Sequence, residues 1–360
     1  MRVGVLPAVG NGLRHFQATG QLPRLFAHLE GYQGDCTYFT YQEFLSECDL
    51  WRDELGDLVG PMRPMRRPLR YALKRPLLEA QMFRECDVLR CTSLLGAVPA
   101  IVARAIHRLP FVFTYGADYL AIAGIHGRSR LHLRKWRFLQ GVAMRLASAV
   151  IVQNEAMRAK IQTTYPAARV VHLPNWVDTN RFKPEYREAG HTVLYVGRLV
   201  EEKNLMALAT ACATTNFALT CIGEGPVSGQ LAGFAAITKA KIRLPGAVPW
   251  GALPEWYPRH AIFAMVSKTE GHCKALAEAM AAGMTCVVSK EVTEGMEPGV
   301  NCLQVDGDPT SIALALEVLV IDRDFAAKLG WGARKTALQL WGKAELLRRE
   351  RDLLREVAGR

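Results

Sequence analysis

Several absences narrow the class of this chain before any motif is read. Nowhere in its 360 residues is there a run of about eighteen apolar positions, so no membrane-spanning segment is expected. The opening MRVGVLPAVGNG reads as a strand and a glycine-bearing turn, without the apolar core and cleavage site of a signal peptide. Cysteine is present but unpatterned. Nine residues, Cys36, Cys48, Cys86, Cys91, Cys212, Cys221, Cys273, Cys286 and Cys302, form no CxxC pair, and several sit in apolar strand-like runs. An odd count in such surroundings predicts reduced, buried thiols and a cytoplasmic protein rather than a disulfide scaffold. The nine histidines offer no HxxxH spacing, and no zinc-finger or RNP-type aromatic pattern occurs, so neither a metal site nor nucleic-acid recognition is expected. No low-complexity tract interrupts a sequence that is 50% hydrophobic, so substantial globular cores are expected, enough for two domains of ordinary size.

What is present is lopsided in charge. Residues 1–190 hold 26 Lys and Arg against 16 Asp and Glu, whereas residues 191–360 hold 19 against 18. Within the basic half, Leu58 to Leu78 and Tyr119 to Asn154 contain no acid at all. In the first, Arg63, Arg66, Arg67, Arg70, Lys74 and Arg75 alternate with Met62, Met65, Leu69 and Leu73; in the second, Arg128, Arg130, Arg134, Lys135 and Arg137 surround Leu131, Trp136 and Phe138. Such mixtures suit a helix in the headgroup region of an anionic bilayer, so residues 62–75 and 128–138 are candidates for a peripheral membrane surface. A solvated helix face beside an ordinary core stripe would give the same pattern.

Strand-like runs at Thr37–Thr40, Asp87–Cys91, Phe111–Tyr115, Ala149–Gln153 and Val170–Leu173 alternate with helical stretches, which predicts a parallel sheet covered by helices on both faces. A polar, Pro- and Gly-bearing stretch at residues 176–191 reads as a linker between a first domain, 1–175, and a second, 192–340. Alternation restarts there, with strands at Val193–Val196, Phe217–Ile222, Ile242–Leu244, Ile262–Val266 and Cys286–Ser289 and a helix near Pro254–Tyr257. Residues 341–360 include a charged amphipathic helix, expected to pack back on the first domain.

The chemistry concentrates where strands of the second sheet end. Lys268 to Gly283, KTEGHCKALAEAMAAG, follows the strand-like AIFAMVS and passes directly into strong helix formers. A strand that ends in Thr-Glu-Gly and enters a helix presents free N–H groups and the positive end of a helix dipole, a place for an anion. Glu270 and Glu278 are two turns apart across this junction, so both carboxylates can border one crevice at different depths. Gly197, Arg198 and Lys203 in VGRLVEEKN follow the strand Val193–Val196, and Gly223 and Gly225 in IGEGP follow the next; ligands of such sheets bind at these carboxyl ends. Arg198 offers a planar fork to phosphate oxygens and Lys203 a mobile point charge. In the first domain Gly10 and Gly12 follow the first strand, where a phosphate or merely a turn would need them.

Together, LPNWVDTNRFKP, VGRLVEEKN, IGEGP and TEGHCKALAEAMAAGMTCVVS resemble, in order and spacing, the motifs of the retaining glycosyltransferases of family 4. The resemblance implies the α/β arrangement called GT-B, two Rossmann-like doubly wound parallel-sheet domains facing a central cleft. It implies a metal-free transfer of a sugar from a nucleoside-diphosphate-sugar, with no other cofactor, to a glycan or lipid-linked acceptor. Carried onto matching positions, Arg198 and Lys203 would hold the diphosphate, and the backbone from Gly271 through His272 and Cys273 to Lys274 would meet the phosphates or sugar. Glu270 would contact sugar hydroxyls, Glu278 the ribose, and Gly12 would place the first loop against the phosphates.

Two departures stand out. The family's Gly-Phe-Gly after the first Glu is here Gly271-His272-Cys273, and TYGADY stands where the family often has a histidine, leaving Tyr115 and Asp118 as candidate acceptor contacts. A tyrosine can hydrogen-bond a hydroxyl but is a poor base near neutral pH. A non-catalytic subunit that kept the fold to bind a partner transferase or a nucleotide-sugar is the alternative; retention of Arg198, Lys203, Glu270 and Glu278 together speaks against it.

Overall fold

The computed structural model describes residues 1–10, 12–18, 20–32, 35–41, 57–59, 67–116, 118–120, 129–185 and 190–359. Met62, Arg63, Met65, Arg66, Arg128 and Cys48 therefore lie outside the described residues. The chain divides into two compact units, one of residues 1–174 with 347–360, the other of residues 175–346.

In the first unit seven strands form a wholly parallel sheet: β1 (Val3–Leu6), β2 (Cys36–Phe39), β3 (Asp57–Val59), β4 (Val88–Cys91), β5 (Phe111–Tyr115), β6 (Ala149–Val152) and β7 (Val170–His172). Their order is β3-β2-β1-β4-β5-β6-β7. Central strands such as β1 and β4 are buried along their whole length, as a sheet covered on both faces requires. Among the described residues the helices before the second unit are α1 (Leu13–Ala18), α2 (Leu22–Leu29), α3 (Pro68–Leu78), α4 (Ala80–Arg84), α5 (Ala97–His107), α6 (Arg130–Leu146) and α7 (Glu155–Thr164). Ser129 and Asn154 cap α6 and α7, each side-chain oxygen accepting from a first-turn N–H.

The second unit has a six-stranded parallel sheet, β10-β9-β8-β11-β12-β13, from β8 (Thr192–Val196), β9 (Ala218–Ile222), β10 (Ile242–Gly246), β11 (Ile262–Met265), β12 (Thr285–Ser289) and β13 (Leu303–Val305). Its helices are α8 (Leu205–Thr214), α9 (Ser228–Thr238), α10 (Lys274–Ala281), α11 (Pro309–Ile321) and α12 (Arg323–Trp341). Instead of the helix expected near Pro254, two 3₁₀ turns cover Trp250–Glu255 and Tyr257–Arg259, because Pro254 and Pro258 each remove a backbone donor. The edge strands β3 and β13 are three residues each, too short for a readable alternation. The stretch 176–191 is not merely polar, since Trp176, Val177 and Phe182 are buried.

The last helix, α13 (Lys343–Val357), places Glu350 inside the first unit. Its carboxylate is ion-paired with the Arg90 guanidinium on β4 and accepts from the Tyr32 hydroxyl at 3.2 Å; His28 Nε2 lies 3.4 Å away. Arg90 also donates to the Cys91 carbonyl at 2.6 Å and to Thr114 Oγ1 at 2.8 Å. Burial opposes ionisation of Glu350, but Arg90 and His28 outweigh it and hold the carboxyl well below the usual carboxylate range. All eight described cysteines are free thiols.

Candidate active site

At the carboxyl ends of β8, β9 and β11 the chain continues as three loops tied by backbone hydrogen bonds. Gly197 N–H donates to Ile222 O at 2.9 Å, Leu199 N–H to Glu224 O at 2.8 Å and Val227 N–H to Leu199 O at 3.0 Å, prolonging the ladder beyond the strands. This explains two of the glycines directly. A Cβ on Gly223 would lie 2.0 Å from the Gly197 carbonyl oxygen, and one on Gly225 2.3 Å from that of Leu199. Both residues also have positive φ, +134° and +154°, so the close approach they permit is first of all between neighbouring loops.

Lys203 ends a single 3₁₀ turn, Glu201–Lys203, held by the left-handed Asn204, whose side chain donates to Gly307 O at 2.7 Å. From the loop after β11 comes Glu270. The Lys203 ammonium and Glu270 Oε2 form an ion pair, Ser267 Oγ donates to the same oxygen at 3.4 Å, and the Gly271 N–H donates to Oε1 at 3.2 Å. The loop is braced by Lys268 N–H on Glu202 O at 2.8 Å and by Ser289 Oγ on Ser267 O at 2.6 Å. The structure thus brings together Lys203 and Glu270, 67 residues apart in sequence, beside the amino end of α10. Arg198 shares the loop of Gly197 but stands in solvent, its side chain 73% exposed and 3.5 Å from Glu202.

Glu278 is placed differently. It lies on the buried face of α10, only 3% exposed, where Oε1 accepts from the Trp250 indole at 3.0 Å and Oε2 from the Tyr257 hydroxyl at 2.9 Å. Phe182 packs against both rings, and the Arg181 guanidinium lies 4.4 Å from the Trp250 ring centroid while donating to Gly251 O at 2.8 Å. Nothing in the residue spacing announced Trp250, Tyr257, Phe182 and Arg181 as neighbours of this glutamate; an indole and a phenol are ordinary core residues until a carboxylate lies beside their polar tips.

The residues between the two glutamates diverge in the same way. The His272 ring is buried edge-on against Trp341, with centroids 4.8 Å apart, and its carbonyl accepts from Asn175 Nδ2 at 3.2 Å. Cys273 precedes α10; burial, reinforced by the charge of Glu270, pushes its thiol up to about 12, so it is a neutral thiol rather than a nucleophile at pH 7. Gly271 is half-buried and Lys274 opens the helix on its exposed side.

In the first unit Tyr115 ends β5 and is buried, its hydroxyl donating to Gln140 Oε1 at 3.0 Å and lying 3.5 Å from Asp118. Burial first, then the Asp118 charge, raises its pKa far above the ordinary phenol value. Asp118 is ion-paired with Lys160 and accepts from the Leu120 N–H at 3.2 Å. Gly12 is buried immediately before α1, and Gly10, after β1, is left-handed at φ +90°.

A cavity of about 360 Å³ in the second unit opens at the amino ends of β8, β11 and β12, lined by His191, Ile262 and Thr285, on the edge opposite Glu270. The charged pair, the close-set glycine loops and the helix start all lie at the carboxyl edge, which is therefore the candidate site. A cation beside a carboxylate there can hold a diphosphate while the carboxylate accepts from hydroxyls. Among the described residues no three His, Cys, Asp or Glu side chains converge as a metal site would.

Comparison with known proteins bears on this edge. A family model described as Glycosyltransferase Family 4 matches residues 36–181, and one described as Glycosyl transferases group 1 matches residues 190–322. The chain is 29% identical over 218 residues to the GDP-mannose-dependent alpha-(1-6)-phosphatidylinositol monomannoside mannosyltransferase of Mycobacterium tuberculosis, a match spanning 53% of this chain and 57% of that protein. It is 24% identical over 243 residues to a GDP-mannose-dependent alpha-mannosyltransferase of Corynebacterium glutamicum, spanning 61% of this chain and 55% of that one. The fold resembles that of Anabaena HepE, solved with UDP, at a TM-score of 0.79 and 18% identity over 99% of this chain and 100% of that one. It also resembles sucrose-phosphate synthase of Thermosynechococcus elongatus, at a TM-score of 0.78 and 16% identity over 100% of both chains. With two doubly wound parallel sheets of the GT-B kind, a motif-bearing carboxyl edge and two family models that between them span most of its length, the chain belongs to glycosyltransferase family 4, the group 1 glycosyl transferases.

Proposed function

We propose that the protein transfers a sugar from a nucleoside diphosphate to a glycan or lipid-linked acceptor, with retention at the anomeric carbon and without a metal ion. The observation that carries this reading is the Lys203–Glu270 ion pair at the amino end of α10, framed by the interlocked Gly197 and Gly223 loops. Lys203, joined by the solvent-borne Arg198, would bind the diphosphate and stabilise the charge that grows on it as the sugar leaves. Diphosphate oxygens would then compete with Glu270 for the ammonium, releasing the carboxylate to accept from sugar hydroxyls. Glu278 is assigned to ribose hydroxyls; a carboxylate accepts about four hydrogen bonds, so Trp250 and Tyr257 do not by themselves exhaust it. The first unit would take the acceptor near Tyr115 and Asp118.

GDP-mannose is the first donor to offer, because the names of the curated relatives specify it, with UDP-glucose as the contrast. Purified protein should transfer labelled mannose to an acceptor in a lipid extract, and Lys203→Ala and Glu270→Ala should each lower the transfer by about 10²-fold or more. Full activity in both variants would overturn the site. Among the described residues no helix is long and apolar enough to cross a membrane, and we assign the protein to the cytoplasm, at the inner face of the cell membrane.

A further inference from the structure

α3 is built inside out. Its inner face carries Arg75, fully buried, while Leu69, Leu73, Leu77 and Leu78 point outward, Leu77 at 60% and Leu78 at 62% exposure. The cause is the seat of Arg75: its guanidinium lies 4.8 Å from the Tyr41 ring centroid and 5.0 Å from that of Phe39, donates to the Thr40 carbonyl at 2.8 Å, and is paired with Glu79. This clamp fixes the rotation of the helix. Leucines at 69, 73 and 77 then form one stripe, with Arg70 and Lys74 exposed along it. Single exposed leucines need no explanation, but three along one stripe, with Leu78 exposed beside it, make a patch.

A second helix repeats the pattern beside it. α5 packs against both α3 and α6, and Ala72 of α3, Val98 of α5 and Leu139 of α6 share one small core cluster. On α6, Phe138 is 75% and Leu131 63% exposed, with Arg134, Lys135 and Arg137 exposed among them. α3 and α6 are more than fifty residues apart in sequence, yet they flank the same helix in one layer over the sheet. No acidic residue occurs in 67–78, 92–116 or 129–154, so none interrupts the three helices.

We propose that the outer face of α3, α5 and α6 docks on an anionic lipid surface, with Leu73, Leu77 and Phe138 entering the acyl boundary and Arg70, Lys74, Arg134 and Arg137 meeting the headgroups. Apolar side chains set between cations of one sign match a layer whose surface is negative and whose interior is hydrocarbon. A nucleic acid would match the charge and leave the leucines in water. The proposal deepens the lipid-linked acceptor reading and rests on it for its link to catalysis, since it sets the acceptor unit at the surface where such an acceptor resides.

The test is co-sedimentation of the full chain with vesicles of phosphatidylcholine alone or with phosphatidylglycerol added. Binding should require phosphatidylglycerol and weaken as salt shortens the Debye length from about 10 Å at ~0.1 M to about 3 Å at ~1 M. The pairs Leu73→Glu with Leu77→Glu, and Arg134→Glu with Arg137→Glu, should each lower binding about tenfold or more. Both pairs should leave the melting temperature and transfer to a short soluble acceptor unchanged. A polarity-sensitive fluorophore on Leu77→Cys should shift to the blue on phosphatidylglycerol vesicles. Equal binding to phosphatidylcholine alone, or undiminished binding by the leucine pair, would overturn the proposal. So would a dimer that the leucine pair dissociates, or binding to a DNA duplex as tight as to vesicles and indifferent to the leucines. Because the assay reads binding and not turnover, a protein that binds vesicles but transfers no sugar would sink the transferase reading alone.

Discussion

Glu350 and Glu270 are both carboxylates ion-paired with a single cation, and they teach opposite lessons. Glu350 is enclosed in the first unit with Arg90, Tyr32 and His28, and every partner comes from a strand or helix of that core. Glu270 stands at a sheet edge with Lys203, their side chains 14% and 12% exposed, and its other donors are a backbone N–H and a serine hydroxyl of its own loop. The first pair is shut in by packing and fixes where the last helix lies. The second lies at the carboxyl edge, where, in the function proposed above, a ligand that offers better partners to both members would free its charge for chemistry.

That contrast is broken most severely by stranding one charge of the enclosed pair. Glu350→Ala should cost about 3–5 kcal/mol, because the Arg90 guanidinium is left buried and unpaired; urea denaturation would measure it, and a loss below about 1 kcal/mol would mean that solvent reaches the site. The pH dependence has a definite sign. The folded-state pKa of Glu350 is depressed, so its contribution is complete above the unfolded value near 4.3 and is lost as pH falls from there toward the folded value. Titrating the urea midpoint downward from pH 5 should show a decline that Glu350→Gln makes shallower.

At the open pair the larger effect is on rate. Lys203→Ala should lower kcat for sugar transfer by about 10²–10³, the scale for removing one charge-stabilising donor, with far less change in urea midpoint than Glu350→Ala gives. A collapse of the fold in Lys203→Ala would erase the distinction between the two pairs. Between these extremes lies Glu278. Trp250→Phe keeps an aromatic side chain but replaces the indole with a smaller ring and removes one N–H from the carboxylate, so stability should fall by about 1–3 kcal/mol or more and the apparent donor affinity should fall with it. The smallest change in stability belongs to Arg198→Ala, within about 0.5 kcal/mol for so exposed a side chain, together with a clear rise in donor KM; an unchanged KM would remove Arg198 from the site.

Much of the architecture was legible because a doubly buried parallel strand must be apolar throughout and a helix must follow it. The alternation from Val3 through Ser289 could be read on that ground, whereas β3 and β13, three residues each at sheet edges, carry too little pattern. The candidate site was legible as motifs at strand ends, where glycines and charged residues gather in loops at the carboxyl edge of the sheet. The neighbours of each motif were not. Trp250 and Tyr257 look like core residues, and His272, beside the first glutamate in sequence, has its ring against Trp341.

By itself, then, the sequence determined the period of the elements, the order of the loops at the carboxyl edge, and the basic character of the first unit. Periodicity, turn chemistry and net charge are local or additive properties. The tertiary structure alone decided that Gly223 and Gly225 yield space to neighbouring backbone, that Glu278 is enclosed while Glu270 stays at the edge, and that Arg75 turns the leucines of α3 outward. Each of those depends on which distant residue arrives at a given point, and a buried polar group dictates the rotation of its helix only once its partners are in place.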